Sequence, residues 1–174
     1  MIITKYEDVI LRRFEESDIP KKVEWINNPE NNRYLHYDLP LRTDKTTEWY
    51  RNKDNTSRVD CIIEYNGQAV GLIGLLSIDK NNFKAEYYIT IGETSYKGKG
   101  IATKATKAIL DYAFTVLKLH KVYLTVDAEN VAAKRLYEKI GFRQEGLLID
   151  DLYNAYEERF INRERLALLR KSGG

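Results

Sequence analysis

Hydrophobic and polar positions in the first half of the chain mostly alternate in short runs, which is the pattern of half-buried strands. VILRRF (9–14) predicts one strand. A helix should begin at a cap residue, Ser17 or Asp18, and end near Asn27, just before Pro29. The stretch 29–41 has no clear period and predicts a loop, and a short helix is expected around 45–51.

The dipeptide Asn66-Gly67 separates two apolar runs, RVDCIIEY and QAVGLIGLLSID. Asn-Gly between such runs is the strongest short-range signal for a β-hairpin. DKNN (79–82) predicts a further turn, and FKAEYYITIG (83–92) a third strand. These three strands should form an antiparallel meander.

The period changes to three and four in the second half. A helix with one apolar face is predicted by Ile101, Ala105, Ala108, Ile109, Tyr112, Ala113, Val116 and Leu117. HKVYLTV (120–126) predicts a strand, and 130–140 a helix with Asn130 as N-cap and Gly141 just past its end. A last hairpin should turn at 154–155. The order of elements predicts an α/β (α+β) domain with a mixed sheet.

Composition narrows the class of protein. The chain has 174 residues, 43% of them hydrophobic and 31% charged, with a net charge of +2, so we expect neither a nucleic-acid nor a membrane surface. The single cysteine, Cys61, fits a reducing compartment, and the first residues, MIITKYEDV, lack a signal-peptide core, so a cytoplasmic protein is expected. We expect one domain over 1–170 and a frayed tail at 171–174.

Two glycines, Gly98 and Gly100, lie between lysines at the start of the predicted helix in YKGKGIATKAT. A helix N-terminus presents unpaired N–H groups, and bare backbone lets a phosphate or diphosphate reach them. A simple loop turn is the plainer alternative. A dinucleotide-binding site is another, since Asp127 supplies an acidic residue at the end of the next strand, although Thr103 replaces the third glycine of that motif.

A second motif, LTVDAENVAAKRLYEKIGF (124–142), follows the glycine segment with a strand between them. Together the two motifs resemble the signatures of the GNAT family of acyl-CoA-dependent N-acetyltransferases, most of all its ribosomal-protein N-terminal acetyltransferase branch, which is also similar to spermidine and aminosugar acetyltransferases. The resemblance covers nearly the whole chain. It implies a sheet that splays between the strands at 84–92 and 120–126 and is flanked by about four helices.

The resemblance also implies acetyl-CoA as co-substrate. Its thioester arm would lie along the strand at 84–92 and its diphosphate on the glycine segment. The implied coenzyme-binding residues are Ile89, Ile91, Lys97, Gly98, Lys99, Gly100, Ile101, Ala102, Thr103, Asn130 and Ala133.

Two residues are candidates for the chemistry of acetyl transfer to an amine. Tyr137 occupies the position of the family's general acid, and Glu86 is a candidate general base that acts through water. A core tyrosine and an exposed strand carboxylate are the corresponding structural alternatives. His36 and His120 have no partners at metal-ligand spacing, so we expect no metal.

The acceptor amine stays open between a protein N-terminus, a polyamine and an amino sugar. Acceptor-pocket candidates are Trp25, Tyr34, His36, Tyr37 and Trp49, with ordinary surface and core aromatics as the plainer alternative. Carboxylates that a polyamine would need lie at Glu24, Glu30, Asp38 and Glu48, and arginines for a sugar nucleotide at Arg33, Arg42 and Arg51. A non-catalytic acyl-CoA-binding module of the same fold is the alternative function. The resemblance also implies a homodimer, which is common in this branch.

Overall fold

The computed structural model describes residues 1–171, so the predicted tail lies outside the described residues except for Lys171. Eight strands form one sheet in the order β1-β2-β3-β4-β5-β6-β8-β7. The strands are β1 (Ile2–Tyr6), β2 (Val9–Arg13), β3 (Val59–Tyr65), β4 (Gln68–Asp79), β5 (Lys84–Ile91), β6 (Lys121–Asp127), β7 (Arg143–Asn154) and β8 (Arg159–Leu169). Strand β1 was missed, because it is a short edge strand whose pattern is interrupted by charge.

Five α-helices accompany the sheet within residues 1–171. They are α1 (Ile19–Asn27), α2 (Pro29–Asn32), α3 (Thr43–Asn52), α4 (Ile101–Asp111) and α5 (Val131–Ile140). The single turn of α2 lies inside the segment predicted as a loop; the side chain of Asn28 accepts a hydrogen bond from the amide of Glu30 and starts it. No helix among the described residues is long and apolar enough to cross a bilayer.

The hairpin of β3 and β4 is confirmed. Asn66 and Gly67 both have positive φ, 52° and 75°, as the two-residue turn with matching twist requires. Strands β2, β3, β4 and β5 then run antiparallel as a meander. Only β5 and β6 pair in parallel within residues 1–171. A dinucleotide-binding domain needs a run of parallel strands, so that alternative was wrong.

The sheet opens between β5 and β6. These strands pair only from Lys84 and Lys121 to Glu86 and Tyr123. Beyond Glu86 the edge of β5 that faces β6 has no strand partner among the described residues, while β4 covers its other edge. The predicted splay is therefore confirmed, and it leaves a V-shaped opening in the middle of the molecule.

Helix α4 packs its apolar face, including Ala105, Ala108 and Ile109, into the core on one side of the sheet. The predicted helix ran on to Leu117, but residues 112–116 form a π-helical turn. One extra residue per turn rotates later positions off the α-helical stripe, which is why Val116 is 60% exposed rather than buried. A second core cluster, around Phe14, Trp25 and Ile62, lies beneath α1 and α3.

Candidate active site

The V-shaped opening continues into a cleft of about 590 Å³, here called the main cleft. The unpaired end of β5, the loop before α4, and α5 form its walls. Every residue predicted to bind coenzyme except Lys99 lines it: Ile89, Ile91, Lys97, Gly98, Gly100, Ile101, Ala102, Thr103, Asn130 and Ala133. The Nζ atom of Lys99 lies 5.4 Å from the ring centroid of Tyr96 instead.

Both glycines before α4 have left-handed backbone, with φ of +78° at Gly98 and +77° at Gly100. A Cβ added at either would meet nothing within 4 Å, so the space beside them is open. Gly100 is the N-cap of α4, which leaves the first-turn amides directed at this space. The Nζ atom of Lys97 donates hydrogen bonds to Asn31 Oδ1 at 2.6 Å and to the Glu30 carbonyl at 3.2 Å. Glycine backbone, helix amides and a fixed ammonium together suit a diphosphate.

Helix α5 places Tyr137 in the lining of the main cleft. The predicted cap is confirmed: Asn130 Oδ1 accepts a hydrogen bond of 3.3 Å from the amide of Ala133. Tyr137 is 9% exposed, and its ring lies 5.8 Å, centroid to centroid, from both Tyr87 and Phe142. Burial raises the pKa of Tyr137 to about 12, so its hydroxyl keeps its proton at neutral pH.

A smaller cavity of about 180 Å³, here called the central cavity, lies between β5 and β6 and shares Tyr137 with the main cleft. The loop after α2 crosses this opening, and His36 Nε2 lies 2.8 Å from Asp127 Oδ1 at the end of β6. Asp127 is 3% exposed, whereas a third of the His36 side chain is exposed. A histidine oriented by a buried carboxylate is an arrangement that can accept a proton.

The sequence matches the family described as "Acetyltransferase (GNAT) domain" over residues 8–143. The chain belongs to the GNAT acetyltransferase family. Its GNAT fold is shared with a crystal structure of spermidine N-acetyltransferase from Vibrio cholerae in complex with CoA and spermine, with a TM-score of 0.86, 29% identity, and 94% of this chain and 96% of that chain covered.

Two further GNAT relatives cover most of this chain. A spermidine N(1)-acetyltransferase of Vibrio cholerae is 34% identical over 82% of this chain and 83% of its own length. The putative ribosomal N-acetyltransferase YdaF of Bacillus subtilis is 30% identical over 84% of both chains. The spermidine N(1)-acetyltransferase of Escherichia coli K12 is 44% identical over 92 residues, and there the chain spans only about half of the relative, 49%. A dodecameric structure of the Vibrio cholerae enzyme has a TM-score of 0.80, with 29% identity and 94% of both chains covered.

The proposed base Glu86 lies where β5 and β6 are still paired, opposite Tyr123. It is half-buried and lines neither the main cleft nor the central cavity. The role of Glu86 therefore stays a prediction. Sequence reasoning considered Asp127 only as part of a dinucleotide motif, although its place directly after a buried strand marks it as a residue at the opening of the sheet.

The acceptor-pocket candidates separate in space. Tyr34 lines both the main cleft and the central cavity, whereas His36 lines the central cavity but not the main cleft. Trp25 does not line either: it is 2% exposed, its Nε1 donates to Glu93 Oε1 at 2.9 Å, and its ring packs against Gly92. A Cβ at Gly92 would come within 2.1 Å of that indole, so the ring is part of the core. The structure places Trp25 in the core behind Gly92, and its predicted contact with substrate stays a prediction.

Tyr37 lines neither of these cavities but two others, on the face of β5 that lies opposite α4. Among the described residues no group of three or more His, Cys, Asp or Glu side chains is arranged to hold a metal ion.

Proposed function

We propose that this chain transfers an acetyl group from acetyl-CoA directly to a primary amine. The observation that carries the proposal is that a glycine-opened helix N-terminus, the unpaired edge of β5 and Tyr137 all border one cleft. The complex of the Vibrio cholerae relative with CoA and spermine supports a coenzyme and an amine as the two partners of such a fold.

The residues present fit the coenzyme. Its diphosphate would rest on the first-turn amides of α4, where Gly98 and Gly100 leave open space, with Lys97 beside it. Its amide-bearing arm would add to the free edge of β5 near Ile89 and Ile91, as an extra strand does. Asn130, which caps α5 with its side-chain oxygen, borders the same path.

The reaction requires the amine nitrogen to attack the thioester carbonyl carbon. The new C–N bond forms, the C–S bond breaks, the amine loses a proton and the sulfur gains one. We propose that Tyr137 stabilises the departing sulfur, since its hydroxyl stays protonated at neutral pH and can donate a hydrogen bond to the thiolate. We propose that His36 is the base that accepts the proton of the amine, because it lines the central cavity with Tyr137 and its Nε2 lies against Asp127.

A pair of variants distinguishes His36 from Glu86 as the base. We expect His36→Gln to lower kcat/KM for the amine about tenfold at pH 7, below the usual ~10²- to 10⁴-fold effect of a proton-transfer group because water still reaches the amine. The loss should shrink as the pH approaches about 10.4, the ordinary pKa of a lysine-like amine, since the amine then needs no base. Initial rates of thiol release over pH 6–10 measure this.

Glu86→Gln is the companion variant, and under this assignment it should keep the wild-type pH profile. If Glu86→Gln loses activity at neutral pH while His36→Gln does not, the base is Glu86, as the sequence suggested.

The alternative is a non-catalytic acyl-CoA-binding module of the same fold. Calorimetric titration with acetyl-CoA, with NAD and ATP as controls, followed by thiol release on a panel of amines, tests both functions. Binding of acetyl-CoA with turnover of at least one amine supports the enzyme. Binding without turnover on any amine would favour the module, and no binding of acetyl-CoA would contradict both.

We propose in addition that the chain self-associates, at least as a homodimer, through the β7–β8 hairpin. Strand β7 is an edge of the sheet, and four apolar side chains around it are half or more exposed: Leu147, Ile149, Tyr153 and Phe160. Such a patch is typical of an interface between subunits. The Vibrio cholerae relative of known structure is dodecameric, which supports self-association.

Light scattering after gel filtration checks the assembly. We expect wild type to elute well above the 20.3 kDa of one chain, and the double variant Ile149→Lys, Phe160→Lys to shift to the monomer mass. Val116→Lys, at a 60% exposed valine on the π-helical turn, is the control and should not change the mass. A wild type that is monomeric at micromolar concentration would contradict the proposal.

A further inference from the structure

Two cavities lie on the face of β5 opposite α4 and are not used by the mechanism above. The inner one, of about 160 Å³, is bordered by Leu35, Tyr88, Ile89 and Thr90, of which Leu35, Ile89 and Thr90 also line the main cleft. The outer one, of about 340 Å³, is bordered by Trp49, Thr46, Leu41 and Lys45. Both share Lys22, Tyr37 and Arg58. We call them the inner and outer basic cavities; together they lead from the thioester end of the site to the surface.

Lys22 is the unusual residue of these cavities. It is 9% exposed, and its Nζ atom lies 3.5 Å from the ring centroid of Trp49. No carboxylate oxygen of the described residues lies within 4.0 Å of this ammonium group, since Lys22 forms none of the ion pairs found in that part of the chain. Burial lowers the pKa of Lys22 to about 8, which reflects the cost of a buried charge without a counter-ion.

Asp60, the carboxylate that acts electrostatically on Lys22, is already bonded to other partners. Asp60, 2% exposed, accepts Arg58 Nε at 2.7 Å and Arg58 Nη2 at 2.8 Å, and it also accepts Lys53 Nζ at 3.1 Å and the hydroxyl of Tyr88. Asp60 thus pairs with two cations, Arg58 and Lys53, and none of these bonds goes to Lys22. This arrangement leaves an excess of positive charge in a largely apolar and aromatic site.

A lysine whose only role is packing would be less stable at this position than an apolar residue. Lys22 lies on the buried face of α1 with Ile19 and Ile26, where an apolar side chain would pack without the cost of a charge. The cationic groups of Lys22, Arg58 and Lys53 all lie within 5.6 Å of a ring centroid of Trp49. Cation–π contact with one aromatic side chain does not neutralise three positive charges. A ligand that carries negative charge would.

We propose that the basic cavities bind an anionic group of the acceptor amine, a carboxylate or a phosphate, with Lys22 and Arg58 as its charged ligands. This inference rests on the proposed acetyl transfer. The amine end of the acceptor would lie beside Ile89 and Thr90, next to the thioester, and the anionic end between Lys22 and Arg58. Trp49 and Tyr37 offer flat surfaces to the body of the molecule.

The charge of these cavities disfavours a polyamine, since a second ammonium group would face Lys22 and Arg58 rather than carboxylates. It favours the other two acceptor classes, an amino sugar that carries phosphate and a peptide or amino acid whose carboxylate is close to its free amine. Both classes carry an anionic group near the amine, a tetrahedral phosphate in the sugar and a planar carboxylate in the peptide.

Matched pairs of acceptors test the inference. Glucosamine 6-phosphate is compared with glucosamine, and glycylglycine with glycylglycine amide, with spermidine as the cationic reference. For wild type we expect at least one anionic member to have kcat/KM about tenfold or more above its neutral partner, which corresponds to one charged hydrogen bond of ~1.4 kcal/mol or more. The phosphate pair and the carboxylate pair identify which anion the site prefers.

Lys22→Met keeps the aliphatic stem and removes the charge, so it should abolish the preference within each pair. Lys21→Met is the matched control, because the neighbouring Lys21 pairs with Glu93 on the surface and does not border the cavities. Dissociation constants for acetyl-CoA should be the same in all three proteins. Calorimetric titration with inorganic phosphate and with acetate, on protein in which excess CoA already fills the diphosphate site, supplies a readout without turnover. We expect binding to wild type and Lys21→Met, and none to Lys22→Met.

Equal or faster turnover of the neutral partners and of spermidine would overturn the inference, as would an anion preference that survives in Lys22→Met. In both cases acetyl transfer itself would stand. Failure to bind acetyl-CoA would instead contradict the proposed function. The phosphate and acetate titrations of wild type and Lys22→Met would then show by themselves whether the basic cavities bind an anion.

Discussion

Replacing Gly100 by leucine should weaken acetyl-CoA binding about 10²- to 10³-fold, because the diphosphate makes charged hydrogen bonds of ~1.5–3 kcal/mol each with the α4 amides. The leucine side chain would project into the space that is open beside the glycine in the structure. It would hold the anion away from the amides of residues 101–103. Calorimetric titration with acetyl-CoA measures the change.

Backbone strain must be separated from this effect. Gly100 has φ of +77°, so any side chain there also destabilises the fold by about 1–2 kcal/mol. Gly67 offers a matched control: its φ is +75°, a Cβ there also meets nothing within 4 Å, and it lies in the β3–β4 turn. Gly67→Leu should lower the melting temperature comparably and leave acetyl-CoA affinity unchanged. Unchanged affinity in Gly100→Leu would rule out this placement of the diphosphate.

The fold was predictable where a local signal is strong and unambiguous. Asn66-Gly67 fixed a hairpin because few dipeptides adopt positive φ at two successive positions. Asn130 and Gly141 bounded α5 because they satisfy the backbone groups at its two ends. The π-helical turn at 112–116 was not predictable, since a one-residue expansion of a helix leaves the apolar pattern nearly intact over so short a length.

The candidate site divides in the same way. Gly98, Gly100 and Tyr137 belong to contiguous motifs, so their joint presence in one cleft followed from the order of the elements. The pair of His36 and Asp127 joins residues 91 positions apart, and no sequence pattern connects a loop histidine to a strand-end aspartate. Contacts of this kind depend on how the loop crosses the open sheet.

Lys22 is an intermediate case. Its spacing from Ile19 and Ile26 on α1 places it on the apolar face, a signal that was present in the sequence and was not used. Its meaning, however, depends on Arg58, Lys53 and Asp60, which reach the same place from another part of the chain. A charged residue on an apolar helix face is therefore a useful sequence marker of a site, but the structure is needed to supply its partners.

Tyr137→Phe should lower kcat/KM for the amine about 10²-fold while the dissociation constant of acetyl-CoA changes less than about twofold. Burial holds the pKa of Tyr137 at about 12, and an ordinary thiol has a pKa of about 8.5, so complete proton transfer to the leaving sulfur is uphill by roughly 5 kcal/mol. The hydroxyl therefore acts mainly by a hydrogen bond to the developing thiolate, which is worth ~1.5–3 kcal/mol for a charged partner. That range includes the expected loss.

The aromatic ring and its contacts with Tyr87 and Phe142 remain in Tyr137→Phe, so the melting temperature should stay close to that of wild type. Tyr112→Phe, at a partly buried tyrosine that lines neither the main cleft nor the central cavity, controls for loss of a phenolic hydroxyl elsewhere and should keep full activity. Rates are measured by thiol release with saturating acetyl-CoA. Because the pKa of Tyr137 is about 12, its hydroxyl is almost fully protonated at pH 10 and below, and the ratio of wild-type to variant rates should be constant from pH 7 to pH 10. Equal rates in the two proteins would reduce Tyr137 to a packing residue and would leave the thiolate to solvent.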